Sequence, residues 1–97
     1  MFDKMKQLME MKKQAEQLKR ELDAEIIEVN EVRGIKLTNN GSQNFQVVEI
    51  DPGMLNPDNK EKLENDLLRS LNAAIKKSQN AAAQKMKTMT GLNIPGL

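Results

Sequence analysis

The sequence predicts an α+β fold in which two long helices flank a three-stranded antiparallel sheet, and three observations carry that reading. Residues 3–23 contain neither glycine nor proline and are mostly strong helix formers. Residues 24–51 switch to short β-branched runs separated by turn residues. After Pro57, no glycine or proline interrupts the chain until Gly91, which predicts a second helix over about residues 57–89.

In the first helix Leu8, Met11, Ala15, Leu18 and Leu22 recur at spacings of 3, 4, 3 and 4, which makes a single apolar seam. Lys4, Lys6, Lys12, Lys13, Lys19 and Arg20 lie mainly off it. The seam must face a partner helix. Its small and flexible members do not suit a free-standing parallel zipper, which favours β-branched residues and leucine.

The strands follow as Ile26, Ile27, Val29 and Val32, then Ile35-Lys36-Leu37-Thr38, then Phe45-Gln46-Val47-Val48-Glu49-Ile50. Arg33-Gly34 and the run Asn39 to Asn44 read as the connecting turns of a meander, and Asp51-Pro52-Gly53 ends the third strand. Gly34, Gly41 and Gly53 are expected in positive-φ turns. Glu25, Glu28, Glu31, Glu49 and Asp51 are expected on solvated faces of the sheet rather than as an acid/base pair.

Asn56 or Asp58 can cap the second helix, with Pro57 at its first position and Glu61 completing a capping box with Asp58. Its buried stripe reads Leu63, Leu67, Leu71, Ala74, Ile75, Ser78, Ala82 and Met86, fading from leucine to alanine. About 30 helical residues span roughly 45 Å, against a radius of gyration of about 13 Å for a globule of this length, so the helix must overhang its core. The tail 90–97, with Gly91 as helix cap and a Pro95-Gly96 pair, is expected to be loose.

Ninety-seven residues suit one domain, 1–97, with a thin core. Two phenylalanines and no tryptophan or tyrosine leave that core to Leu, Ile, Val, Met and Ala, and a core so small calls for a second copy of the chain. The methionines fit plastic packing better than a cofactor box. There is no cysteine and no histidine, which removes disulfides, thiolate metal sites, the best nucleophile and the commonest general base. With no glycine-rich phosphate loop either, neither catalysis, cofactor, metal nor small-molecule substrate is expected. The N-terminus lacks a signal peptide and no stretch is apolar enough to span a bilayer, so a cytoplasmic, membrane-free protein is expected.

Charge is what remains to explain. The net charge is only +1, but no acidic residue follows Asp66, whereas Arg69, Lys76, Lys77, Lys85 and Lys87 do. Asn72, Gln79, Asn80 and Gln84 are interleaved with them and can bond to phosphate or base edges. Lys12, Lys13, Lys19 and Arg20 form a second cluster. These nine residues are the candidate nucleic-acid contacts. Near-neutrality predicts moderate, steeply salt-dependent binding.

The order of pieces resembles the YbaB/EbfC family of small nucleoid-associated proteins. The matching features are the Met-, Lys- and Gln-rich opening helix, Gly34-Ile35-Lys36-Leu37-Thr38 leading to Asn40-Gly41, Val48-Glu49-Ile50-Asp51-Pro52, the run Leu67 to Ile75 containing Asn72-Ala73-Ala74, and the closing Gly91-Leu92 and Pro95-Gly96-Leu97. The resemblance covers nearly the whole chain. It implies a tweezer-like homodimer whose long helices project as prongs, binding to double-stranded DNA, and a role in nucleoid organisation or gene regulation. It implies no catalytic residue and carries no fixed DNA-contact motif. The rival from another class is a protein-protein adaptor that grips its partner with the projecting helices.

Overall fold

The computed structural model describes residues 2–90. Helix α1 (Phe2–Ala24) leads into strands β1 (Ile26–Val32), β2 (Ile35–Asn40) and β3 (Phe45–Ile50), and helix α2 (Lys60–Thr90) closes the described chain. The sheet is an antiparallel meander of order β1-β2-β3, as the alternation of β-branched runs and turns requires. The expected tail and its Gly91 cap lie outside the described residues.

Two 3-10 turns, Pro57–Asn59 being the second, connect β3 to α2. The Asn56 side chain accepts from the Asp58 backbone N–H at 3.0 Å, with Pro57 following it, so Asn56 is the cap. The capping box from Asp58 to Glu61 does not form, because the tight turn delays the α-helix proper to Lys60.

Register explains the core. Ile27 pairs with Asn39 and Val29 with Leu37, so these four residues share one face of the sheet. Alpha-2 lies on that face over β1 and β2, and Val29, Ile35, Leu37 and Ala74 are buried there. Ile27, Met54, Leu63, Leu67 and Leu71 surround them. Full burial of one such Val, Leu or Ile contributes about 1.5–3 kcal/mol, so four buried apolar residues make the thin core that the composition predicts. Strand β3 is left outside: Phe45, Val47 and Val48 are 39%, 37% and 56% exposed.

Strand β2 is longer than expected. Asn39 and Asn40 belong to it, and the NH2 group of each donates to a carbonyl far away in sequence, while Asn40 Oδ1 also accepts from the Ser42 and Asn44 N–H groups of the following turn. The buried Asn39 amide donates to the Ala74 carbonyl at 3.1 Å, and that of Asn40 donates to the Asp23 carbonyl at 3.1 Å. Ser78 Oγ donates to the Asn40 carbonyl at 2.8 Å. A stripe of Ser70, Ala74 and Ser78, all fully buried, brings α2 close enough for these bonds.

The glycines divide. Gly34 takes φ +97° in the β1–β2 turn, as expected, but Gly41 and Gly53 do not adopt positive φ. The positive φ of the β2–β3 turn falls on Gln43, at 65°. Gly41 is required for space instead: a Cβ there would sit 2.9 Å from Leu22 Cδ2 and 3.0 Å from the Leu22 carbonyl oxygen. Its N–H donates to that carbonyl at 2.9 Å, which joins the end of α1 to the sheet.

The molecule is 67 Å long with a radius of gyration of 18.4 Å, well above the globular expectation of about 13 Å. The overhang of α2 is therefore real. Alpha-1 runs back along it, yet residues 3–17 of α1 are exposed throughout. The predicted seam is only partly covered, with Leu8 and Met11 each 64% exposed.

Candidate nucleic-acid interface

The α1 arm is set at its C-terminal end. Besides the Gly41 and Asn40 bonds, Asp23 accepts from the Ser42 hydroxyl and from Lys19 Nζ at 3.0 Å. The Ser42 hydrogen bond first, and then Lys19, holds the Asp23 carboxyl below the usual carboxylate range. Lys19 is thus engaged with Asp23, and Arg69 with Glu31 at 3.4 Å. Both pairs are solvent-exposed and contribute little, so a polyanion can compete for either cation.

Among the described residues, Lys12, Lys13, Arg20, Lys76, Lys77, Lys85 and Lys87 make no ion pair. All are exposed except Lys85, which is half-buried. Its place follows from the helix: Ser70, Ala74, Ser78 and Lys85 lie on the stripe of α2 that packs against the rest of the chain. At about 100° per residue, Arg69, Lys76 and Lys87 fall roughly opposite that stripe, with Asn80 beside them and Lys77 on the flank. This outward ridge runs about 27 Å from Arg69 to Lys87, the rise of roughly eight base pairs of duplex.

Alpha-1 carries a ridge of its own. Lys13 and Arg20 are seven residues apart and point away from the Met11 and Leu18 side that faces α2. Lys6 continues the same row, one heptad earlier, and was not among the nine candidates; the repeat of seven is the signal that finds it. Lys12 and Lys19 lie on the flank. Within one chain the two ridges face away from each other, so the nine residues do not form one continuous surface.

Three further ion pairs join charged groups outside the candidate set. Glu28 pairs with Lys36 at 3.6 Å, Lys60 with Glu64 at 2.9 Å and Lys62 with Asp66 at 2.8 Å. Glu28, Glu31, Glu49 and Asp51 are exposed as expected, whereas Glu25 is half-buried with its Oε2 fully covered. No group of three or more His, Cys, Asp or Glu side chains gathers among the described residues, and none of their helices is long and apolar enough to cross a membrane.

Comparison with known proteins places this geometry in a family. A nucleoid-associated protein of Pelotomaculum thermopropionicum is 36% identical over 95 residues, covering 96% of this chain and 90% of its own length. One from Rhodopseudomonas palustris is 37% identical, with 94% and 89% covered, and one from Clostridium kluyveri is 34% identical, with 96% and 83% covered. The model of the YbaB/EbfC DNA-binding family matches residues 1–93, and the chain belongs to that family.

Proposed function

We propose that the chain, acting as one unit over residues 1–97, is a cytoplasmic, nucleoid-associated protein that binds double-stranded DNA as a homodimer and takes part in nucleoid organisation or gene regulation. The observation that carries the reading is the outward ridge Arg69, Lys76 and Lys87 on a helix segment with no acidic residue after Asp66. Lysine and arginine neutralise phosphates there, and Asn72 and Asn80 supply limited base preference. The α1 ridge gives a second set of contacts. Because the two ridges of one chain diverge, a groove of duplex width requires arms from two chains.

The dimer is supported by what the fold leaves uncovered. Strand β3 is an open sheet edge that carries Val48, 56% exposed, and Leu68 on α2 is 59% exposed. Such an edge pairs readily with its own copy. Sedimentation velocity at micromolar concentration tests this, with a dimer expected; a monomer would remove the second arm and with it the groove.

The adaptor reading is favoured by one feature, the exposed seam residues Leu8 and Met11. A pull-down with and without nuclease separates the two readings. Partners of a DNA binder are lost when nucleic acid is digested, whereas an adaptor keeps its protein partner.

A further inference from the structure

Beyond the sheet, α1 and α2 face each other across a cleft whose walls carry three methionines. A cleft of about 340 Å³ between the helices is walled by Met11, Gln14, Ala15, Leu18, Met86 and Met89. Met11 is 64% exposed, Met86 is 39% exposed and Met89 is half-buried, so the cleft is open to a small oxidant. The chain has no cysteine, which leaves its methionines as the readily oxidised sulfur groups. Alpha-1 has little else to hold its outer part, because residues 3–17 are exposed and its firm attachments gather at Leu22 and Asp23.

We propose that this methionine cleft is a redox-sensitive joint: oxidation of Met11, Met86 and Met89 to sulfoxides by hydrogen peroxide releases the outer part of α1 from α2. In each step the sulfur gives up two electrons, a sulfur-oxygen bond forms as the peroxide O–O bond breaks, and the second peroxide oxygen leaves as water. A flexible apolar thioether becomes a polar group, which loses free energy if it stays in an apolar cleft without a partner. The anchor at Gly41, Asn40 and Ser42 contains no sulfur, so the arm swings about an intact base. Lys6, Lys12 and Lys13 move with the arm. Sulfoxide reduction by methionine sulfoxide reductase restores the closed joint.

The test treats the full chain with hydrogen peroxide, maps sulfoxides by peptide mass spectrometry and follows amide hydrogen exchange. Exchange in the α1 segment 5–18 is expected to rise about tenfold or more, while the β2 amides stay protected. A variant with Met11→Leu, Met86→Leu and Met89→Leu keeps apolar volume and is expected to show no rise, although Met5 and Met9 still oxidise. A second variant, Met5→Leu with Met9→Leu, retains the response. Unchanged exchange with Met11, Met86 and Met89 fully oxidised, or an equal rise in the triple variant, would overturn the proposal. The effect on DNA rests on the function proposed above and is read separately, as a fall in duplex affinity of about threefold or more on oxidation. Loss of that readout alone counts against the DNA role of α1, whereas the exchange result decides the joint.

Discussion

The Asn39 side-chain amide, fully buried on β2, donates to the carbonyl of Ala74 in the middle of α2 at 3.1 Å. This bond joins strand and helix across 35 positions of sequence where a leucine would ordinarily pack. Truncation by Asn39→Ala removes the bond and leaves a cavity, so it is expected to destabilise the chain by about 2 kcal/mol in urea unfolding. A change under about 0.5 kcal/mol would mean that the amide is not a tie between the two layers.

Gly41 is expected to tolerate no side chain, for reasons of space rather than backbone angle. A methyl there meets Leu22 at 2.9 Å and the Leu22 carbonyl at 3.0 Å, and the carbonyl belongs to the backbone that ends α1. Gly41→Ala should lower stability by about 1–3 kcal/mol and increase hydrogen exchange near the end of α1. An unchanged melting temperature would contradict the close approach.

The Ser42–Asp23 contact makes a pH prediction. The Asp23 carboxyl is held below its ordinary value of 3.8 by the Ser42 hydroxyl and then by Lys19. A depressed acid stabilises the fold when ionised, so this contribution is fully present above the ordinary carboxylate range and is lost as pH falls through the folded-state value. Ser42→Ala should move the Asp23 carboxyl toward 3.8 in an NMR titration, and Lys19→Met should move it in the same direction. A titration curve unaffected by Ser42→Ala would remove the contact.

Much of the scaffold was legible in the sequence because each element carries its own period. Seams of 3 and 4 marked α1, β-branched runs marked β1 and β3, and the Asn56-Pro57 pair marked the approach to α2. Asn39 and Asn40 misled because asparagine reads locally as a turn residue, whereas here each NH2 group meets a carbonyl far away in sequence, and only Asn40 Oδ1 serves the turn. Gly41 misled for a similar reason, since a close approach leaves no local mark. In the interface, the excess of lysine on the second helix was readable from composition. The inward position of Lys85 and the outward ridge of Arg69, Lys76 and Lys87 were not, because they depend on which stripe of α2 meets the sheet and α1.

That ridge separates lysines that composition treats alike. Lys76→Glu with Lys87→Glu places two acidic groups on the outward face, and should weaken duplex binding by about tenfold or more while leaving the circular dichroism spectrum intact. Lys76→Glu with Lys77→Glu should act in the same direction. Lys85→Glu, half-buried beside Gln17 and Glu21, should change affinity less. Equal effects from Lys85 and Lys87 would show that the ridge is not the contact surface.

In the proposed function, exposed cations on the helical arms hold DNA through its phosphates. The most direct measurement is fluorescence anisotropy of a labelled duplex titrated with the chain at several salt concentrations. Saturable binding is expected at low salt, with log affinity falling linearly against log salt at a slope of about −0.9 for each phosphate neutralised. Binding absent at low salt, or an affinity indifferent to salt, would contradict it.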